Sequence, residues 1–405
     1  MAGEPLSIDL LIGKAQATIK QCEVIEKSRV RVSWSDSSGD SIYPMMLLRD
    51  CCPCEKCFSP SVNSRLTLFE QLLAAASSVA NISSQPESLC IDWEDGHKSV
   101  YEAEWLYRRR LERAATEDRL LKMYCEVQET PWTITKPEEI KTGRYDDILR
   151  DPAKIVEFTE TLIRDGAYVI KDAPPRHCLV EFLREIKAKH QSTHYSDGEW
   201  VIKNIPTSKD LPNSSKKLEL HIDMPYLVKP QQLQLLHCLV QSADGGENKL
   251  SDALKAALLL KKENPEYYRV LSSVEVDFQF IKRYRGSHDW FICNRAPIIQ
   301  EDPRTGLPSL CRFAAEVRCS SFNQPVEVIE SWYEAFRHYW SILEQHSILI
   351  KSSPGDILAF NNGRVMHARE AFNQQQERQL EGIYADWDYL MSAWRVAKCE
   401  LNRRV

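Results

Sequence analysis

The chain has 405 residues, a net charge of −6, and 43% hydrophobic and 27% charged residues. That length supports a full core and a second, smaller one, and the acidic balance argues against a general nucleic-acid or acidic-membrane binder. No run of about 18 apolar residues reads as a membrane span. The N-terminal MAGEPLSIDLLIGKAQ lacks the basic start and apolar core of a secretory signal and is too acidic for a transit peptide. The 13 cysteines are an odd number and mostly scattered, so the expected compartment is the reducing cytoplasm.

In chain order, residues 1–110 are expected to form a β-rich module, 111–139 a helical linker and 140–405 a larger domain. Two stretches of the module resemble each other: RVRVSWSDSSGDSIYPMMLLRD (29–50) and LCIDWEDGHKSVYEAEWLYRR (89–109). Each reads as strand, Trp-x-Asp turn, strand, with Trp34 and Trp93 in matching places. Two hairpins of one sheet are expected, with an internal repeat as the alternative. Residues 64–82 have helical character. The run Arg108, Arg109, Arg110 and Arg113 reads as a solvated helix face. From 140 onward, helical stretches at 152–164, 178–190 and 325–347 mix with strand-like runs at 167–171, 217–223, 233–240, 275–280, 356–360 and 378–388. Many short strands with a few helices predict an α+β, mainly β sandwich or barrel with helices packed on one side.

The stretch DCCPCEKC (50–57) is the densest chemical signal in the module. In a reducing compartment, clustered thiolates point first to zinc. Cys52, Cys54 and Cys57 form C-x-C-x-x-C and can wrap one ion. Adjacent Cys51 and Cys52 tend to point apart, so Cys51 is not expected to ligate. The fourth ligand is expected to be His97, in the turn WEDGHKS, with Cys90 as the alternative. Such a closed site would be structural.

In KLELHIDMPY (217–226), alternation along a strand puts His221 and Asp223 on one face. With 10 histidines and 58 acidic residues, about one such pair is expected by chance. The pair therefore needs company. His367, in SSPGDILAFNNGRVMHARE, could complete the two-histidine, one-carboxylate face that holds non-haem Fe(II). Iron enzymes of this kind draw electrons from 2-oxoglutarate, whose distal carboxylate needs a forked cation. Arg378 opens the run RQLEGIYADWD, where Arg378, Leu380, Gly382, Tyr384 and Asp386 would share a strand face.

With these residues in view, the chain resembles the γ-butyrobetaine dioxygenase and trimethyllysine dioxygenase family over nearly its whole length. RDCCPCEKC and WEDGHKSVYEAEWL resemble the family's zinc module. HIDMPY, LQLLHC, GGEN, PGDILAFNN, RVMHAR and RQLEGIYADWD resemble its catalytic blocks. The resemblance implies a distorted double-stranded β-helix (jelly roll) behind the zinc module, and a homodimer. It assigns iron to His221, Asp223 and His367, 2-oxoglutarate to Arg378, and zinc to Cys52, Cys54, Cys57 and His97. Asn248 falls where related enzymes often carry a hydroxyl near 2-oxoglutarate.

The implied reaction consumes dioxygen and 2-oxoglutarate, with ascorbate as supporting reductant, and hydroxylates an unactivated C–H. A trimethylammonium substrate calls for an aromatic cage, and Tyr195, Trp200 and Tyr384 align with cage positions. Met224 and Asn213 stand where the family's betaine enzyme has aromatics, and Ala314 and Ala315 replace an asparagine pair. The expected activity is hydroxylation of a small betaine, γ-butyrobetaine to L-carnitine. Trimethyllysine or another small amine or amino acid is the alternative within the same chemistry. A non-catalytic zinc scaffold is the alternative of another class, and a zinc-ribbon nucleic-acid binder ranks behind it.

Overall fold

Val30, Val32 and Trp34 alternate with polar neighbours, and Leu89, Ile91 and Trp93 repeat the pattern; all six are buried. Each set becomes the middle strand of a three-stranded antiparallel sheet. The first sheet comprises β1 (Ile19–Ile25), β2 (Arg29–Trp34) and β3 (Asp40–Pro44), followed by α1 (Met45–Asp50). The second comprises β4 (Val79–Gln85), β5 (Ser88–Trp93) and β6 (Lys98–Glu102), followed by α2 (Ala103–Arg108). The expectation of a single sheet is therefore corrected in favour of a repeat.

The bonding is reciprocal. Trp34 Nε1 donates to Ser41 Oγ at 2.8 Å, and Trp93 Nε1 to Ser99 Oγ at 2.9 Å. The Tyr43 hydroxyl donates to the Leu106 carbonyl in α2, and the Tyr101 hydroxyl to the Leu48 carbonyl in α1. One apolar core joins the two halves. The helix expected over 64–82 is short, Phe69–Ala74, and Val79–Gln85 is a strand, because its ladder with β5 outweighs local helix propensity.

These features come from a computed structural model that describes residues 6–13, 15–36, 38–74, 79–125, 130–208, 211–282, 289–303 and 305–404. Two units are distinguished: Met1–Glu126 with Lys398–Val405, and Val127–Ala397. The helix Arg113–Tyr124, inside the expected 111–139 segment, belongs to the first.

The second unit is a jelly roll. Its larger sheet uses β7 (Thr142–Arg144), β8 (Ala167–Lys171), β9 (His190–Gln191), β10 (Trp200–Lys203), β12 (Leu233–Val240), β17 (Ile357–Asn361) and β19 (Gln379–Ala385). The order is β9-β19-β12-β17-β8-β7, with β10 also on β19. The smaller sheet uses β11 (Leu218–His221), β13 (Asn248–Asp252), β16 (Ile348–Ile350) and β18 (Val365–Arg369), in the order β11-β18-β13-β16. A further hairpin pairs β14 (Val276–Lys282) with β15 (Trp290–Ala296).

Helices α3 (Pro152–Asp165) and α4 (Leu179–Glu185) contribute to the apolar core on the outer face of the larger sheet. Asp151 caps α3 at Ala153 N, and Gly166 ends it with φ 75°. The helix expected over 178–190 stops at Glu185 because Lys187 takes φ 63° and the chain re-enters the sheet at His190. The strand expected over 217–223 ends at His221. Asp223 lies beyond it, because Met224 adopts φ 54° and Pro225 follows.

Candidate active site

Antiparallel pairing of β11 with β18 sets His221 directly across from His367. Their rings lie 4.1 Å apart by centroid. Asp223 reaches back from its turn, with Oδ1 3.4 Å from His221 Nε2 and 3.8 Å from His367 Nε2. Asn362 holds that turn from both sides: its Oδ1 accepts from Asp223 N at 2.8 Å, and its Nδ2 donates to Asp223 O at 3.1 Å. His221 Nδ1 donates to the Glu219 carbonyl at 2.8 Å, which leaves Nε2 facing the cluster. Tyr384 donates its hydroxyl to Asp223 Oδ2 at 2.7 Å, leaving Oδ1 for a metal.

Electrostatics separates the three groups. Burial opposes charge on His221, yet the Asp223 carboxylate raises it to about 9. Burial, and then the neighbouring His221, pushes His367 down to about 3. Burial also works against the Asp223 carboxylate, but His367 and His221 hold it below the usual carboxylate range. Two imidazoles and one carboxylate converging on one point fit Fe(II), with room on the open side for cosubstrate.

The ten residues expected for iron, cosubstrate and substrate all line one cavity of about 580 Å³. Arg378 enters it from the residue just before β19 and is 3% exposed. Burial lowers its guanidinium to about 10, against the pull of Cys238 and Glu247. Its bonds inside the protein are long: 3.4 Å to Gly246 O and 3.5 Å to Asn248 Oδ1. Its Nε has no partner, and among the described residues no carboxylate forms an ion pair with it. A buried fork of this kind fits a ligand carboxylate. Asn248 braces the fork while donating to Ser352 Oγ at 3.3 Å.

Along β19, Arg378, Leu380 and Tyr384 line the cavity, whereas Ile383 and Ala385 join the outer core. Asp386, expected on the inner face, lies past the strand end and accepts from Gln191 Nε2 at 2.7 Å. Gly382 is required by packing. A Cβ there would sit 2.2 Å from the Trp200 ring, whose indole lies 5.4 Å by centroid from Tyr384. Tyr195 bonds Tyr384 hydroxyl to hydroxyl at 3.0 Å. Asn213 lies in the loop whose carbonyls are gathered by buried Arg369: Leu211, Pro212, Ser214 and Lys216.

Sequence reasoning missed Tyr226, Phe280 and Glu316, which also line the cavity. Tyr226 and Phe280 stack at 5.1 Å beside Met224. It also missed Arg312, which pins the chain after the HID triplet through the carbonyls of Pro225, Leu227 and Val228. Tyr226 stood in the quoted HIDMPY, two places past Met224. Phe280 and Arg312 carried no local signal.

In the first unit, Cys52, Cys54, Cys57 and His97 bring four donor atoms within 4.8 Å of one another. His97 Nε2 lies 3.3 Å from Cys52 Sγ and 3.7 Å from each of the other two sulfurs. Three thiolates and an imidazole fit a closed zinc site. Cys51 is turned to Arg65 Nη2, 3.2 Å away, and Cys90 lies within the β5 ladder, so the Cys90 alternative is corrected.

Two histidines and an aspartate that could hold a metal ion, set inside a jelly roll beside a buried arginine, are the make-up expected of a 2-oxoglutarate-dependent Fe(II) dioxygenase. The chain belongs to the taurine catabolism dioxygenase TauD, TfdA family, whose model matches residues 134–384. A second model, gamma-butyrobetaine hydroxylase-like, N-terminal, matches residues 23–107. The chain is 29% identical to the gamma-butyrobetaine dioxygenase of Pongo abelii, over 94% of this chain and 97% of the relative. It is 28% identical to that of Homo sapiens over the same shares. It is 24% identical to the mitochondrial trimethyllysine dioxygenase of Gallus gallus, over 87% of this chain and 82% of the relative. Membership in this family of enzymes sets aside the scaffold reading. No helix among the described residues is long and apolar enough to cross a membrane.

Proposed function

We propose that this enzyme hydroxylates an unactivated C–H of a small betaine, γ-butyrobetaine to L-carnitine. His221, Asp223 and His367 hold the iron. Arg378, braced by Asn248, binds the distal carboxylate of 2-oxoglutarate. Bound iron, with dioxygen and 2-oxoglutarate, supplies the oxidising chemistry: the cosubstrate leaves as succinate and carbon dioxide, and a substrate C–H becomes C–OH. Tyr384 orients Asp223. The aromatic walls exclude water and position the substrate.

The observation that carries the substrate class is the aromatic lining of the cavity that holds the triad. Tyr195, Trp200 and Tyr384 form one wall, and the Tyr226–Phe280 stack supplies ring faces beside Met224. Ring faces attract a cation that has no hydrogen to donate, and methionine packs readily around methyl groups. The Glu316 carboxylate, at the same cavity, adds attraction for positive charge. A second reading keeps the chemistry and changes the substrate to trimethyllysine or another small amine or amino acid. Met224, Asn213 and Ala314 at the wall favour it, since they replace family pocket residues.

We extend the reading to structural zinc at Cys52, Cys54, Cys57 and His97, ascorbate support of turnover, a homodimer and a cytoplasmic location. The test is product mass after incubation with γ-butyrobetaine, trimethyllysine and the uncharged carbon isostere of γ-butyrobetaine. The proposal expects oxygen added to γ-butyrobetaine and not to the isostere. Equal hydroxylation of the isostere would overturn the cation-recognition reading.

A further inference from the structure

On the face of β19 that turns away from the cavity lies a second set of ligand-type side chains. Glu381 points outward between Leu380 and Gly382, and the sheet register sets His237 of β12 opposite it. His177, just before α4, and Glu199, just before β10, close over Glu381. Ligand atoms of His177, Glu199 and Glu381 all fall within 4.8 Å of one another. His177 Nδ1 lies 2.7 Å from Glu381 Oε1 and 3.1 Å from Glu199 Oε2.

The second, independent observation is the state of Glu381. Its side chain is 1% exposed and aimed into the cluster, and apart from the close His177 contact, which is not aligned as a hydrogen bond, neither carboxylate oxygen has a hydrogen-bond partner. His237 Nδ1 stands 3.8 Å from Oε2, and His237 Nε2 is also buried without a partner. Glu199 spends its other oxygen on Val180 N at 2.8 Å.

A desolvated carboxylate beside a second carboxylate is unfavourable unless a cation satisfies both. One imidazole nitrogen facing two carboxylates can give its proton to only one of them. We propose that His177, Glu199 and Glu381 form a second metal site for a divalent transition ion of the zinc type, with solvent completing its coordination on the exposed side. The N/O donor set suits such an ion, and the mostly exposed His177 imidazole gives it an entry path. The ion would clamp the chain leading into Trp200 and the start of α4 onto β19, behind the cavity wall.

The test is zinc content by inductively coupled plasma mass spectrometry after dialysis of the full chain against Zn(II). Wild type is compared with His177→Ala and Glu199→Gln. The cysteine cluster and the iron triad take up zinc equally in all three proteins, so the difference isolates this site. The expected result is one zinc per chain fewer in each variant, with a zinc-dependent rise in melting temperature that is smaller in both. His177 is mostly exposed, so its removal leaves the core intact, and circular dichroism checks the fold. Equal zinc counts and equal zinc-dependent shifts would overturn the proposal and leave an ion pair only.

Discussion

Replacing Arg378 with methionine tests the cosubstrate anchor with two readouts of opposite sign. The guanidinium is 3% exposed and, among the described residues, has no ion-paired carboxylate. Burial draws it down to about 10, which corresponds to about 3 kcal/mol of destabilisation of the charge in the folded protein. Methionine removes that penalty and fills similar volume. It also strips Gly246 O and Asn248 Oδ1 of their long bonds, at about 1 kcal/mol for the pair. The cosubstrate-free protein should therefore gain about 1–2 kcal/mol, read by denaturant unfolding.

Binding of 2-oxoglutarate should move the other way. Removing one partner of a buried charge pair costs about 2–5 kcal/mol, a loss of roughly 30- to 5,000-fold in Kd. Anaerobic calorimetry with Mn(II) in place of iron measures it. In wild type, 2-oxoglutarate at 100 times its Kd should add about 2.7 kcal/mol of stability; in Arg378→Met the same concentration should add at most about 0.9 kcal/mol. Unchanged 2-oxoglutarate affinity, or a variant that is less stable than wild type when cosubstrate is absent, would refute the reasoning.

Gly382→Ala drives a Cβ into the Trp200 ring; KM for the betaine should rise about tenfold or more, while 2-oxoglutarate affinity is kept. Steady-state kinetics against both substrates checks this. His221 holds a proton up to about 9, so the stability it contributes to the metal-free protein is full below its unfolded value and fades as pH rises through about 9. A metal must displace that proton, so metal affinity runs the opposite way and should climb about tenfold per pH unit from 7 to 8. Metal titrations in two buffers of different ionisation heat should count about one proton released per ion. His97→Ala should drop one zinc per chain and loosen the first unit, seen as early proteolysis within residues 29–108, while 2-oxoglutarate binding persists.

The chemistry-bearing residues were legible because their spacing reflects local geometry. C-x-C-x-x-C gathers three sulfurs by local spacing, and the strand spacing from Arg378 to Tyr384 brings both to the cavity by simple alternation. Asp223 was legible as a candidate ligand but not as a residue beyond the strand end, because Asn362, 139 positions away, fixes its turn. The paired sheets were visible as similar hairpins. Their separation depends on Tyr43 and Tyr101 each reaching the other half, which no local pattern records. Phe280 joins the cavity through a hairpin fold-back, and Glu381 meets His177 only through the sheet register and the loop before α4. Such features are set by tertiary contact, where sequence periodicity carries no information.

The most direct test of the central claim is succinate release from 2-oxoglutarate with Fe(II) and ascorbate, with and without γ-butyrobetaine, in wild type and His221→Ala. The account predicts γ-butyrobetaine-dependent succinate in wild type, matched one to one by hydroxylated product, and neither in the variant. Succinate formation that ignores γ-butyrobetaine, or that survives loss of His221, would contradict it.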